Sequence, residues 1–181
     1  TMLKGRGMKP DIALLGYYGH GNFGDDILMV VAYALAQQML PGARIALRIG
    51  TSATYPEQLL GEGIARLPFG TRDQHRLILH GGGGTFFDFS PQGAWNRAVN
   101  AALMVGGSTA FVRFDESLRR LVGRPHISAQ TRLGLGLGVG TFTAGSPRLR
   151  DALPELANFD ALWVRDPESV NNLYHLGVSP P

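Results

Sequence analysis

Gly16-Tyr17-Tyr18-Gly19-His20-Gly21-Asn22-Phe23-Gly24-Asp25-Asp26 decides how this chain is read. The apolar run Ile12-Ala13-Leu14-Leu15 leads into it, and an apolar helical pattern from Ile27 to Leu40 follows. The glycines therefore fall on a strand-to-helix turn, where a missing Cβ lets backbone approach a ligand or a neighbouring segment. Gly19, Gly21 and Gly24 formally satisfy the spacing of the dinucleotide fingerprint. The next two residues oppose that reading. Asp25 and Asp26 stand in the first helical turn, where their carboxylates repel a pyrophosphate and compete for the same N–H donors. The expected second strand, residues 44–50, also ends without the acid that would hold ribose hydroxyls. Its Arg48 reads as a solvated edge residue. The turn is built to present acids, and no dinucleotide cofactor is expected.

Outward from this turn, apolar runs alternate with helical patterns. Strands are expected at 11–15, 44–49, 76–80, 109–114, 133–139 and 161–165, with a weaker one at 64–67; helices are expected at 25–40, 91–105, 116–122, 146–156 and 167–176. Ser90-Pro91 and Asp166-Pro167 are N-cap and N1 proline pairs, and Gly177 sits where a helix-ending glycine belongs. Residues 51–56 and 140–147 read as loops. Such alternation predicts one α/β domain over residues 1–181, an open, doubly wound, mostly parallel sheet with helices on both faces. Ligands in such sheets bind beyond the carboxyl ends of the strands. Four chemically loaded segments fall at that edge: 16–26, Gly81-Gly82-Gly83-Gly84 with Asp88, Gly140-Thr141, and Arg165-Asp166.

Composition narrows the function classes. The chain has 181 residues, 44% hydrophobic and 17% charged, enough apolar material for a core and too little charge for disorder. Its net charge of +3 is too small, and its arginines too scattered, to point to nucleic acid. Cysteine is absent, which removes disulfides, thiolate catalysis and cysteine metal sites, and no other metal-ligand cluster is visible. No signal peptide or membrane span reads from the sequence, so a cytoplasmic protein is expected.

Each candidate residue carries two readings. Asp25 and Asp26 serve as base or hydroxyl ligand, or compensate the helix dipole. Asn22 binds ligand or bonds its own turn. His80 is catalytic or a satisfied core histidine. Gly82, Gly83 and Gly84 admit a phosphate or sugar, or let a helix pack closely. Asp88 binds ligand or caps the helix expected at 91. Arg165 is an anion-binding fork at a strand end, or the ion-pair partner of Asp166 or Glu168. Trp95, Trp163, Phe86 and Phe87 read as core.

Three segments give the chain a resemblance to the bacterial polysaccharide pyruvyltransferases. They are Gly16 to Asp26, the Gly81-Gly82-Gly83-Gly84 run followed by Asp88, and Val164-Arg165-Asp166-Pro167-Glu168-Ser169 with Leu173 and Leu176-Gly177-Val178. Asp26 stands where that family commonly has Glu, and Gly138-Val139-Gly140-Thr141-Phe142 lacks the family's proline. The resemblance implies the Rossmann-like N-terminal half of a bacterial two-domain enzyme of glycosyltransferase-B type, whose C-terminal half has no counterpart in this chain. It implies transfer of pyruvyl from phosphoenolpyruvate to two hydroxyls of a glycan acceptor in cell-surface polysaccharide synthesis, as a ketal. Asp25, Asp26 and His80 would be catalytic; Gly19, Gly21, Asn22, Gly82, Gly83, Gly84, Asp88 and Arg165 would bind substrate. Half of a nucleotide-sugar glycosyltransferase, or a non-catalytic nucleotide- or sugar-binding module, would use the same architecture.

Overall fold

A computed structural model of the chain describes residues 10–18, 22–49, 55–61, 64–67, 73–88, 127–142 and 146–179. Ten elements follow in order: β1 (Ile12–Leu15), α1 (Phe23–Met39), β2 (Ile45–Leu47), α2 (Tyr55–Leu60), β3 (Ala65–Arg66), β4 (Gln74–Phe86), β5 (Ser128–Val139), α3 (Pro147–Ala157), β6 (Ala161–Val164) and α4 (Pro167–His175). The six strands form one sheet in the order β3-β2-β1-β4-β5-β6, and every pairing is parallel. This is the doubly wound, Rossmann-like order, whose direction of growth reverses between β1 and β4.

Alternation along the buried strands sorts the core onto two faces. Ile12, Leu14, Leu77 and Leu79 point to one side, where they pack with Met29, Ala32 and Ala36 of α1 and, more loosely, Leu60 of α2. Ala13, Leu15 and Ile78 point to the other. His80 follows Leu79 and so falls on this second side, where Phe159 and Glu155 of the α3 region meet it. Helices therefore cover both faces.

Local chemistry sets the helix ends. Asn22 caps α1 by accepting from Gly24 N at 3.2 Å, and Asp25 and Asp26 lie in the first turn. Ser146 caps α3 through Leu149 N at 3.1 Å. Asp166 caps α4 through Ser169 N at 2.7 Å. Gly177, at φ +68, ends α4 with paired bonds from Gly177 N to Tyr174 O and Val178 N to Leu173 O, and Val178 and Leu173 share one apolar cluster.

Several expectations need correction. The sheet is wholly parallel among the described residues. Residues 51–56 were expected as loop, yet α2 begins at Tyr55; proline is tolerated in a first turn because its absent N–H is not needed there. β4 does not end at His80: it continues through all four glycines to Phe86, because β5 runs alongside as far as Val139. Arg48 is no edge residue, since β3 lies beyond β2 and the side chain is half-buried. Trp163 is 56% exposed rather than core. The strand expected at 109–114, the helices at 91–105 and 116–122, Ser90-Pro91 and Trp95 lie outside the described residues. No helix among the described residues is long and apolar enough to cross a membrane.

Candidate functional site

β1 stops at Leu15, opposite His80, while β4 and β5 run on together past it. The backbone of Gly81 to Phe86 thus forms a ledge at the carboxyl edge of the sheet. The chain leaving β1 and the start of α1 pack against it. Tyr18 is buried and donates its hydroxyl to Gly81 O at 2.8 Å. Burial and the charge of Asp25 push its phenol above the ordinary range, so it stays a donor. A Cβ on Gly81 would overlap both the Tyr18 hydroxyl and Ala32 Cβ. Gly82 and Gly83 have φ of +83° and +88°, which only glycine adopts readily. They face Leu28 and Asp25, with Asp25 Oδ1 at 2.7 Å from where a Gly83 Cβ would stand.

Asp25 is buried, and its Oδ2 accepts from Asn22 Nδ2 at 2.6 Å. The cap residue of α1 therefore also orients the first acid. Asp26 is half-buried on the same turn. Gly19, His20 and Gly21 lie outside the described residues.

Gly84 faces outward, toward Phe87, and pairs with Gly138 of β5. Over Gly138 lies Arg165, whose Cζ is 2.9 Å from the position of a Gly138 Cβ. A cavity of about 340 Å³ opens here, at the carboxyl ends of β4, β5 and β6 and the start of α4. Gly84, Asp88, Gly138, Thr141, Arg165 and Ser169 are among its walls. Arg165 donates Nε to Asp166 Oδ2 at 2.8 Å. The hydrogen bonds from Ser169, and then Arg165, hold the Asp166 carboxyl below its usual range. Asp88 Oδ1 accepts from Ser146 Oγ at 3.0 Å, which ties the end of β4 to the cap of α3. Ser169 Oγ and Asn172 Nδ2 bond the N–H and carbonyl of Val139, completing the end of β5 from α4.

His80 stands apart from these residues. It is on the sheet face away from α1, in edge-to-face contact with Phe159 at 5.0 Å between ring centroids. Glu155 Oε1 lies 3.7 Å from its Nε2, a contact that favours the charged ring. Burial opposes it, helped by the Arg132 and Arg48 charges, and holds the imidazole at about 3, hence neutral near pH 7.

The structure thus brings Asn22, Asp25 and Gly83 together, and separately Gly84, Asp88 and Arg165, along one continuous ledge. Sequence reasoning read Phe87 as core, whereas it is half-buried and lines this cavity, and it gave Gly138 and Ser169 no role of their own. Gly138 and Ser169 did carry a signal: a glycine at a strand end, and a hydroxyl three residues after a capping Asp. Phe87 carried none. No family model, no curated protein and no solved structure matches this chain.

Proposed function

We propose that this chain is the N-terminal, Rossmann-like half of a polysaccharide pyruvyltransferase. One observation carries the reading. The three segments behind the resemblance meet on a single ledge, with the Asp25 carboxylate over β4 and the Arg165 guanidinium over the adjacent β5. Asp25 lies by Gly83, and Arg165 by Gly138, the pairing partner of Gly84, so acid and cation stand one strand apart at the same edge.

Ketal formation uses such a pair. Asp25 takes the proton of a sugar hydroxyl as its oxygen bonds to C2 of the enolpyruvyl unit, and the methylene carbon gains a proton. A second hydroxyl then bonds to the same carbon as that carbon's C–O bond to phosphate breaks, and the hydroxyl proton leaves with the phosphate, giving the cyclic ketal and inorganic phosphate. Arg165 holds the donor's carboxylate or phosphate. Asp166 offsets part of the Arg165 charge, so further cations would come from a facing half, as in a cleft enzyme of glycosyltransferase-B type. The strand order would also serve a nucleotide-sugar glycosyltransferase. Asp25 and Asp26 in the first turn of α1 weigh against a diphosphate there.

The test is phosphate release from phosphoenolpyruvate with a panel of glycan acceptors. It is run on these 181 residues and on the chain extended through its reading frame beyond Pro181. Acceptor-dependent release from the longer chain supports the reading. Turnover of a nucleotide sugar with none of phosphoenolpyruvate replaces it with the glycosyltransferase.

A further inference from the structure

A second cavity, of about 310 Å³, opens on the α3 side of the ledge and shares Phe87 with the first. Its walls include Thr85, Phe87, Phe142, Arg148, Asp151 and Glu155. On α3, Arg148, Asp151 and Glu155 follow at spacings of three and four, so they project from one helix face into one space. Three phenylalanines, Phe86, Phe87 and Phe142, line the same cavity.

Two polar atoms lack a hydrogen-bond partner, one in the cavity wall and one facing the wall residue Glu155. Thr85 Oγ1 is shielded from solvent and unbonded. His80 is more than nine-tenths buried, its Nε2 is likewise unbonded, and that atom is directed at Glu155. The 3.7 Å separation is too long for a hydrogen bond. Orphaned polar atoms of this kind are rare in folded proteins and mark places where a ligand or water completes the network.

The chemistry of the walls selects the ligand class. Arg148 and Asp151 offset one another, and Arg132, 3.5 Å from Glu155, together with the Arg48 charge offsets the second carboxylate, so the cavity has no acidic or basic excess to select an ion. The pair of acceptors, the fork donor and a hydroxyl of either polarity match a neutral molecule carrying several adjacent hydroxyls. Phenylalanine rings supply a flat apolar wall for a C–H face. We propose that this cavity is a pyranose-binding site, in which Asp151 and Glu155 accept from neighbouring sugar hydroxyls while Phe142 and Phe87 hold the ring's apolar face. The inference rests on the pyruvyl-transfer reading only for the sugar's role, which would be that of the acceptor.

The test titrates the 181-residue chain with methyl gluco-, galacto- and mannopyranosides, followed by ligand-observed and amide-shift NMR. At least one should bind saturably in the millimolar range. Asp151→Asn, Glu155→Gln and Phe142→Ala should each weaken it by about tenfold or more, with melting temperature recorded for each. Glu155→Gln keeps the shape of the side chain and remains informative if Phe142→Ala is unstable. Absence of binding up to about 100 mM overturns the proposal, as does binding that all three folded variants retain. Phosphoenolpyruvate turnover is read separately: sugar binding without it removes the pyruvyltransferase and leaves the sugar site, whereas turnover without sugar binding here does the reverse.

Discussion

Around α1 the glycines of β4 are crowded by buried core groups; toward α3 and α4, Gly84 and Gly138 are covered instead by side chains that wall a cavity. Gly81, Gly82 and Gly83 have their missing Cβ positions filled by Tyr18, Ala32, Leu28 and Asp25, and a largely apolar core lies beneath. Gly84 and Gly138, next along the same ledge, meet only the ring of Phe87 and the guanidinium of Arg165, and both line a cavity. The same residue type thus does opposite work a few ångströms apart. In the first region it lets helix and strand approach closely enough to hold Asp25 in place. In the second it lets the Arg165 and Phe87 side chains lie close over the strands as walls of the cavity.

The largest effect is predicted at the boundary, where Asp25 belongs to the crowded side by packing and to the cavity side by its proposed chemistry. In a chain that turns over phosphoenolpyruvate, Asp25→Asn should lower the rate by roughly a hundredfold or more. Asparagine keeps the shape, so stability should fall by about 1 kcal/mol or less, chiefly through the contact with Asn22. A normal rate in a variant that melts normally would make Asp25 purely structural and erase the boundary.

Gly81→Ala tests the crowding directly. The new methyl has nowhere to go between Tyr18 and Ala32, and overpacking of this kind costs about 1–3 kcal/mol. Gly84→Ala meets only the far edge of the Phe87 ring, at 3.0 Å, and should cost clearly less. Urea denaturation of the two variants decides it; equal losses would dissolve the distinction between the regions.

Acid titration separates them again, through His80. Its folded value of about 3 lies below the unfolded 6.5, so the unfolded chain binds a proton first as pH falls. Stability from the neutral ring is fully present above 6.5 and is lost progressively between 6.5 and 3. At pH 5 the loss should be about 2 kcal/mol, and His80→Gln should remove that slope. Glu155, raised by burial, acts in the opposite sense: it adds stability as pH falls through its raised folded value toward 4.5. The comparison is therefore made between variant and parent at each pH. An unchanged slope would mean that the imidazole is not held neutral.

Tyr18→Phe is predicted to have the smallest effect, about 1 kcal/mol. It removes the bond to Gly81 O while keeping the ring that fills the crowded region. Thermal melts resolve this, and no loss would show that the hydroxyl is dispensable to the packing.

Reading the fold from sequence worked where a residue acts through its own backbone. The apolar runs 12–15 and 45–47, the cap-and-proline pair Asp166-Pro167, and Gly177 at the end of α4 all declare themselves within a few residues. The two acids in the first turn of α1 were legible for the same reason. The site was legible only as a set of separate segments. Gly81 to Gly84 read as a turn after a strand, because nothing local tells a strand of glycines from a loop of them; the pairing with β5, more than 40 residues on, makes it a strand. His80 read as a possible partner of the acids, yet side-chain alternation after Leu79 puts it on the opposite face. Trp163 read as core by type alone, and its exposure depends on what packs against β6.

The sequence by itself determined the alternation of strands and helices, the helix ends, and the acids at the start of α1, since these follow from periodicity and from bonds spanning three or four residues. Only the tertiary structure decided which glycines are filled, that Asp25 and Arg165 lie over adjacent strands, and that α3 and the end of β4 enclose a second cavity. Those outcomes depend on strand order and register, which place residues far apart in the chain side by side, and no local pattern encodes that distance.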